Sequence, residues 1–498
     1  MSRGPSAAAT PAATDPSASP DTLGERAHDR SARGAPGPDG GAAGAARILA
    51  GADEIVPCTS ADPDSVLAGR AVAISGGRIA GVGALAELRR RFPGASEETL
   101  AGGVLTPGLV DSHTHAVFGR TRADEYALRA SGVPYMEVAR RGGGINASVR
   151  DLRGRSRDEL VALALPRLAE CLDHGTTTLE IKSGYGLDTD SELKTLAAIA
   201  GVAERVPQRI VATFLGAHEV PPEHREDRAR YLDLLVEEMI PAAAEQGIAR
   251  FCDVFCEPGV FDPEEARRIL NRGRELGLEP KLHADELENG GGAELAADLG
   301  AASADHLGAI SDAGIAALAR AGGASPPTVA TLLPATLLFL GRTAYAPARA
   351  LLDAGAIVAL ATDFNPGSSP TPGLPIVLTL ACSQMRMSPL EALVAATAGG
   401  AAALRLDDGT GTIAEGAPAD LVWWSVPDHR EIPYHVGVNR VGRVWVGGIP
   451  VVERDVSGPG AAGGGPGPGS ARAGPESGRG PRRISAEPRA ALDGDPPR

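Results

Sequence analysis

Two histidines separated by one residue are the first candidates for chemistry in this sequence. His113 and His115 stand in the segment Asp-Ser-His-Thr-His, directly after the apolar run 104–110. Because side chains along a strand alternate with a period of two, both imidazoles are expected on one face, with backbones about 7 Å apart. Two imidazoles placed in this way can bind one metal ion. Two unrelated polar residues at the end of a strand are the alternative while the motif stands alone.

Other histidines also lie at the ends of predicted strands. Five of the ten histidines do so: His113, His115, His218, His283 and His306. A catalytic metal site needs a few neutral imidazoles, a carboxylate and an open position for water, whose pKa the metal lowers toward neutrality. Asp363, at the end of the last predicted barrel strand, supplies the carboxylate. The predicted metal ligands are therefore His113, His115, His283 and Asp363.

The middle of the chain, about residues 105–406, alternates apolar runs with helical patterns. Helix starts are indicated at Ser156–Glu159, Asp262–Glu265 and Ser388–Glu391. Eight strand candidates end near residues 115, 185, 218, 257, 286, 306, 333 and 363. Eight such units over roughly 300 residues predict an α/β protein with a (β/α)8 TIM-type barrel, which places its chemistry at the carboxyl ends of the strands. An open doubly wound sheet is the alternative, but no Gly-x-Gly-x-x-Gly opens a helix after the first strand.

Strand-like runs near both ends of the chain indicate a second, smaller domain. These runs lie at residues 47–50, 71–74, 78–82, 420–426, 443–446 and 449–452. The segment 75–77, Ser-Gly-Gly, is typical of a hairpin between two of them. We expect a small β-sandwich domain built from residues 44–104 and 407–453, beside a barrel of residues 105–406.

Composition restricts the partners and the location of the protein. Residues 1–43 and 454–498 are rich in Gly, Pro, Ala and Ser, and they are expected to be disordered tails. A net charge of −15 argues against nucleic acid or an anionic membrane surface as a partner. No apolar run of about 20 residues and no secretory signal is seen, so we expect no membrane span and a cytoplasmic protein.

The order of the predicted ligands resembles that of the amidohydrolase superfamily: His-x-His after the first strand, His at a middle strand and Asp at the last. The local motifs are similar to those of the imidazolonepropionase family, whose members hydrolyse the imidazolone ring in histidine breakdown. They occupy residues 107–115, 180–186, 214–218, 251–256, 281–286, 303–307 and 361–370. Thr-Asp-Phe-Asn-Pro-Gly-Ser and Ser-Gly-Tyr-Gly are together the most specific of them. Two of the three lysines, Lys182 and Lys281, also lie inside these motifs.

The resemblance implies one metal ion and a set of substrate contacts. It assigns His113, His115, His283 and Asp363 to a single zinc or iron ion; no lysine follows the fourth strand to bridge a second one. The implied substrate-binding residues are Arg122, Tyr185, His218, Glu286, Asn365, Gly367 and Ser368. The family's substrate carries a flat polar ring and a propionate arm. The guanidinium of Arg122 suits the propionate, and the Tyr185 hydroxyl can donate to the same carboxylate or to the ring. Backbone N–H groups of the turn 365–368 are expected to face a ligand.

The implied reaction is hydrolysis of the cyclic amide C–N bond of 4-imidazolone-5-propanoate to N-formimidoyl-L-glutamate, the third step of histidine degradation. The catalytic candidates are Glu286, His306 and Asp363. Asp363 and His306 are expected to orient the attacking water and take its proton. Glu286 or His306 then manages the proton on the leaving nitrogen, and the sequence leaves that choice open.

Two other functions remain open from the sequence. Another mononuclear hydrolase or deaminase of the superfamily, acting on a small heterocycle, would share the metal ligands without needing Arg122 and Tyr185 as a carboxylate clamp. A barrel retained only for binding should have lost at least one metal ligand, whereas all four are present. The resemblance also implies a homodimer that acts on a small molecule.

Overall fold

The computed structural model describes residues 46–133, 137 and 143–454. The predicted tails lie outside the described residues, except for Arg454. In chain order the strands are β1 (Arg47–Ala50), β2 (Glu54–Ile55), β3 (Leu67–Ala68), β4 (Ala71–Ser75), β5 (Arg78–Gly83), β6 (Ser96–Thr99), β7 (Val104–Pro107), β8 (Leu109–Asp111), β9 (Thr176–Lys182), β10 (Arg209–Ala217), β11 (Ala249–Cys256), β12 (Glu279–Ala284), β13 (Ser303–His306), β14 (Val329–Leu332), β15 (Val358–Leu360), β16 (Leu421–Trp424), β17 (Val441–Val446) and β18 (Ile449–Glu453).

The helices of the same part of the chain lie mainly between the barrel strands. They are α1 (Leu85–Arg91), α2 (Ala123–Ala130), α3 (Ile145–Arg153), α4 (Arg157–Asp173), α5 (Thr189–Ala203), α6 (Arg228–Leu234), α7 (Ile240–Gln246), α8 (Pro263–Glu275), α9 (Gly292–Leu299), α10 (Asp312–Gly322), α11 (Pro334–Phe339), α12 (Ala348–Asp353), α13 (Leu374–Met385), α14 (Pro389–Val394), α15 (Gly400–Ala403) and α16 (Glu431–Tyr434). Short 3₁₀ turns occur at Pro63–Ser65 and Pro222–His224, and π-helical turns at Leu235–Met239 and Ala395–Gly399.

The eight strands β8 to β15 form one parallel sheet in sequence order. The ring closes just beyond the ends of β8 and β15. There the His115 N–H donates to the Phe364 carbonyl oxygen at 2.9 Å, and the Asp363 N–H donates to the His113 carbonyl oxygen at 3.0 Å. The predicted (β/α)8 barrel is confirmed, and its closing contacts coincide with the predicted metal ligands.

Capping residues begin three of the helices where the sequence predicted them. The Ser156 hydroxyl accepts from the N–H of Glu159, and the Glu159 carboxylate accepts from the N–H of Ser156 at the start of α4. Asp262 and Ser388 make the same reciprocal arrangement before α8 and α14. Each cap satisfies N–H groups that the first turn of a helix leaves without partners.

Strands from both ends of the chain form two further sheets. One has the order β5-β4-β1-β6, and the other has the order β18-β17-β16-β7-β2-β3. In the second sheet β16, from beyond the barrel, pairs antiparallel with β7, from before it. A shared hydrophobic core contains Leu49 and Val72 from the first sheet and Leu105 and Trp445 from the second. The predicted β-sandwich from both chain ends is confirmed, and its exact domain boundaries stay a prediction.

Strand β9 is buried at every residue, although it contains Glu180 and Lys182. Strands of a parallel barrel are covered on both faces, so charged residues inside them need charged partners. The barrel interior therefore contains ionic contacts beneath the site. Among the described helices none is both long and apolar enough to span a lipid bilayer.

Candidate metal and substrate site

The four predicted metal ligands meet at the carboxyl end of the barrel. His113 and His115 follow β8, and His283 lies in β12. Asp363 follows β15, and its Oδ1 atom lies 3.6 Å from Nε2 of His113 and 3.5 Å from Nε2 of His115. The rings of His113 and His283 stand 4.5 Å apart between centroids. All four side chains are buried, so the structure brings together the residues that the sequence pattern grouped.

The orientation of two of these imidazoles fits a metal ion. Nε2 of His113 and Nε2 of His283 are buried and have no hydrogen-bond partner among the described residues. Their other ring nitrogens face carboxylates: Nδ1 of His113 lies 2.7 Å from Asp305, and Nδ1 of His283 lies 3.2 Å from Asp253. A carboxylate at Nδ1 holds the ring proton there and leaves the Nε2 lone pair for a cation. A buried acceptor without a partner is costly, and an ion between these atoms would remove that cost.

Burial also gives these groups suitable charge states. It lowers the pKa of His113 and the pKa of His115 well below the ordinary value for histidine, so both rings are neutral near pH 7. Burial raises the pKa of Asp363 to about 6, against the opposing hydrogen bond that the Thr336 hydroxyl donates to its Oδ2 at 2.7 Å. Near pH 7 His113 and His115 therefore offer neutral imidazoles, and Asp363 offers a largely ionised carboxylate.

His218 and His306 complete a group of five histidines. The His218 ring stacks on that of His115 at 5.1 Å, and the His306 ring lies 5.2 Å from that of His283. Three sets have candidate donor atoms within 4.8 Å of one another: His113–His283–His306, His115–His218–His283 and His113–His115–Asp363. An ion at this site has more candidate donors than the four that the sequence predicted.

Two residues of the site have a left-handed backbone. His306 has a φ of +79° and Asp363 a φ of +53°. Such angles are uncommon outside glycine and cost on the order of 1–3 kcal/mol each. Strained residues of this kind concentrate at functional sites, where the surrounding structure holds them in place. Here the strain turns both side chains into the same site.

Glu286 lies beside His306 at the edge of the site. Its Oε2 atom lies 3.7 Å from Nε2 of His306, and its side chain is only 12% exposed. Burial, and secondarily the negative charge of Asp363, raise the pKa of Glu286 to about 8. The carboxyl group is therefore mostly protonated near pH 7.

Arg122 and Gly367 lie against each other at the mouth of the barrel. Arg122 immediately precedes α2, and its Nε and Nη2 atoms donate to Glu125 Oε2 at 3.0 and 2.7 Å. A Cβ atom at position 367 would stand 2.1 Å from Nη1 of Arg122. Only glycine leaves room for the guanidinium in this position, so the structure brings this predicted pair together.

The turn 365–368 differs from the sequence prediction in one respect. We expected its backbone N–H groups to face a ligand, but those of Gly367 and Ser368 both donate to Oδ1 of Asn365 at 2.8 Å. An asparagine side chain readily takes up the N–H groups that follow it in a turn. The Asn365 Nδ2 group in turn donates to the Asp363 carbonyl oxygen at 2.7 Å, which ties the turn to a predicted metal ligand.

Tyr185 lies beside the histidines, with its ring 5.8 Å from that of His115 and 5.5 Å from that of His218. It follows Gly184, whose φ is +104° and whose carbonyl oxygen lies 2.9 Å from Nδ1 of His218. A Cβ on Gly184 would stand 2.9 Å from the same ring nitrogen. Glycine therefore allows this strand end to approach His218 closely.

Comparison with known proteins adds independent information. Residues 141–452 match the amidohydrolase family, and residues 71–95 match the imidazolonepropionase-like composite domain of bacteria. An imidazolonepropionase of Symbiobacterium thermophilum is 49% identical over 393 residues, which cover 78% of this chain and 91% of the relative. Another, of Alkaliphilus oremlandii, is 42% identical and covers 77% of the chain and 90% of the relative. The chain belongs to the imidazolonepropionase family.

Solved structures resemble this imidazolonepropionase-family chain at low sequence identity. An adenosine deaminase from Xanthomonas campestris with bound zinc has a TM-score of 0.60 at 21% identity, covering 82% of this chain and 93% of its own. The atrazine chlorohydrolase TrzN from Arthrobacter aurescens TC1, complexed with zinc, has a TM-score of 0.59 at 20% identity, covering 83% and 97%. At such identities the likeness shows the fold alone.

Sequence reasoning did not assign a role to the charged residues beneath the imidazolonepropionase-family site. They are Glu180, Lys182, Asp253, Lys281 and Asp305, and all are fully buried. Two signals were available: each charge lies within a predicted barrel strand, and two of the three lysines lie inside the family motifs. What the sequence alone could not supply was the pairing of these charges between strands that are not neighbours in the sheet, such as Lys182 in β9 and Asp253 in β11.

Proposed function

We propose that this chain hydrolyses the ring C–N bond of 4-imidazolone-5-propanoate to give N-formimidoyl-L-glutamate, the third step of histidine degradation. One observation carries the proposal: the buried Nε2 atoms of His113 and His283 have no hydrogen-bond partner among the described residues, and the Asp363 carboxylate lies 3.6 Å from the first of them. Such a site offers metal-assisted hydrolysis and a clamp for a carboxylate arm together. Membership of the imidazolonepropionase family supports the choice of substrate.

His113, His115, His283 and Asp363 would hold one divalent or trivalent ion, for which we propose zinc or iron. When bound, the ion would polarise the ring carbonyl and lower the pKa of a water molecule. The neutral imidazoles of His113 and His115 and the ionised Asp363 suit that task because they need not lose protons when the ion binds.

The chain's own residues would move the protons. Asp363 and His306 would orient the attacking water and take its proton, since burial keeps the pKa of His306 low and its ring neutral. Attack at the ring carbonyl carbon gives a tetrahedral oxyanion, from which the ring C–N bond breaks. Glu286, protonated near pH 7, would supply the proton to the leaving nitrogen, and His306 is close enough to pass the water proton to it.

Different residues would bind the propionate and the ring of the substrate. Arg122 would bind the propionate, with Tyr185 donating to the same carboxylate or to the ring. His218 and Glu286 would contact the ring. Asn365, Gly367 and Ser368 would form the wall beside Arg122, where glycine leaves room for its guanidinium. We further propose a cytoplasmic homodimer, which sedimentation and cell fractionation would check.

The direct test is turnover of the proposed substrate. Purified protein is incubated with 4-imidazolone-5-propanoate, and loss of ring absorbance is followed before and after treatment with a chelator. We expect turnover that the chelator abolishes and that zinc or iron restores. The absence of metal-dependent turnover would overturn the proposal, and stoichiometric release of ammonia would indicate a deaminase instead.

A further inference from the structure

Five charged side chains form a buried cluster in the barrel beneath the proposed metal site. The cluster contains three carboxylates and two ammonium groups, Glu180, Lys182, Asp253, Lys281 and Asp305, none with exposed side-chain surface. Buried charges cost several kcal/mol each unless they are paired and hydrogen-bonded. The carboxyl groups outnumber the ammonium groups by one.

Lys182 lies at the centre of this cluster. Its Nζ atom lies 2.7 Å from Asp253 Oδ2, 2.8 Å from Glu180 Oε2 and 3.7 Å from Asp305 Oδ2. Burial alone would lower the pKa of Lys182, but the charges of Asp253, Glu180 and Asp305 outweigh it and raise that pKa. Lys182 is therefore a permanent cation that contacts all three carboxylates.

Two of those carboxylates also contact the imidazoles of the proposed metal site. Asp253 uses its two oxygens separately, with Oδ2 toward Lys182 and Oδ1 3.2 Å from Nδ1 of His283. Asp305 places Oδ2 2.7 Å from Nδ1 of His113. One carboxylate thus separates the Lys182 ammonium group from each of the two rings, whose Nε2 atoms have no hydrogen-bond partner among the residues that the structure describes.

We propose that Lys182 is a positioning residue for the metal site. It holds the carboxylates of Asp253 and Asp305 where they direct the Nε2 atoms of His283 and His113 into the site, and so it sets the affinity for the metal ion. Without its ammonium group Asp253 loses the partner of Oδ2, and three carboxylates repel one another around one remaining lysine. Groups that orient metal ligands typically change metal affinity 10- to 100-fold when removed.

The test compares the same substitution at two of the three lysines. In Lys182→Met we expect the dissociation constant for zinc, measured against a chromogenic chelator, to rise 10- to 100-fold. The visible absorption of the cobalt-loaded protein should also change, because it reports the geometry of the ligands. Lys194→Met is the control: its ammonium group donates to the carbonyl oxygens of Leu152 and Arg153, away from the cluster, and it should bind zinc like wild type.

A second variant separates positioning from general stability. Glu180→Gln/Lys182→Met removes one charge of each sign, so we expect it to regain thermal stability relative to Lys182→Met while its zinc affinity stays low. Zinc affinity and a cobalt spectrum equal to wild type in either folded variant would overturn the proposal. If neither variant folds, Lys182 acts in folding rather than in positioning, which also overturns it.

This inference rests on the proposed metal site, and the experiments distinguish a failure of the proposed function from a failure of the role of Lys182. If the wild-type protein binds no zinc, cobalt or iron, the proposed function fails. If the wild type binds metal and the Lys182 variants bind it equally well, only the role of Lys182 fails.

Discussion

At the scale of single residues, the site is defined by which atoms already have partners. Asp305 and Asp253 lie at the Nδ1 atoms of His113 and His283, whereas the Nε2 atoms of both rings have no hydrogen-bond partner in the described part of the chain. At the mouth, Glu125 binds one edge of the Arg122 guanidinium and fixes its plane. We therefore propose that hydrolysis and substrate selection depend on different residues, which mutation can separate.

Arg122→Lys is expected to raise the KM for 4-imidazolone-5-propanoate on the order of 10- to 100-fold with little change in metal content. A lysine keeps the charge but loses the planar fork that binds a carboxylate through two hydrogen bonds. Steady-state kinetics with metal analysis measures both quantities. Arg120→Lys serves as the control, since that side chain is 49% exposed and pairs with Asp124 on the surface. An unchanged KM in Arg122→Lys would contradict the proposal that Arg122 binds the propionate.

Gly367→Ala is expected to raise KM in the same way, since its new methyl group would meet Nη1 of Arg122 at 2.1 Å and displace the guanidinium. Zinc affinity should stay at the wild-type value, because Asp363 is not displaced directly. Gly323→Ala is a matched control, with its nearest neighbouring atom 3.5 Å from the added Cβ. Equal kinetics in the two variants would show that Arg122 does not need its present position.

At the scale of elements, hydrophobic pattern and capping residues predicted the helices and barrel strands. Ser156, Asp262 and Ser388 begin helices as expected because a cap is a local interaction, readable within four residues. The position of the turn 365–368 was predicted, but its hydrogen bonds were not. The Asn365 side chain accepts from the N–H groups that we expected to face a ligand. The buried cluster around Lys182 escaped prediction because most of its pairs, such as Lys182 with Asp253, join different strands, which no local pattern reveals.

Ser156→Ala is expected to lower the free energy of unfolding by about 1 kcal/mol, because α4 loses the hydroxyl that accepts from the Glu159 N–H. Urea unfolding measures the change. Ser156→Asp should retain most of the stability, since aspartate caps helices as well as serine does. A loss as large in Ser156→Asp as in Ser156→Ala would assign the effect to something other than capping.

The link between β10 and the segment after the barrel should respond to acid. Burial opposes ionisation of Asp408, but hydrogen bonds from Arg209 at 2.7 Å and Thr410 at 2.6 Å outweigh it and lower the pKa of Asp408 to about 2. A carboxyl group with a lowered pKa contributes stability above its ordinary pKa near 4, and that contribution is lost as the pH falls toward 2. The stability difference between wild type and Asp408→Asn should therefore be larger at pH 5 than at pH 2.5. A difference independent of pH, measured by urea unfolding, would contradict this assignment.

At the scale of the whole molecule, the barrel could be predicted from the count of β/α units, and the β-sandwich from strands at both ends. The candidate site residues could be grouped from the sequence because a barrel brings the carboxyl ends of all its strands to one face. Distances between side chains from different strands were beyond the sequence. That is why the seating of Arg122 on Gly367 emerged only from the structure.

Removal of the metal should affect the whole molecule. The proposed ligands come from β8, β12 and β15, so an ion would tie together both sides of the barrel closure. A ligand that binds only the folded state stabilises it by about 2.7 kcal/mol at 100 times its dissociation constant. We expect chelation to abolish turnover and lower Tm, and zinc to restore both. Calorimetry that shows the same Tm with and without metal would contradict binding at this closure.

The hydrogen bonds that close the ring run between the backbones of His113 and Asp363 and of His115 and Phe364. The first and last strands of the barrel thus contribute neighbouring donors to one site. A chain still on the ribosome, with β8 to β14 complete but β15 not yet made, lacks the Asp363 carboxylate and the seam that holds the two histidines. We therefore expect high-affinity binding of the proposed metal ion to come late in synthesis, after the barrel has closed.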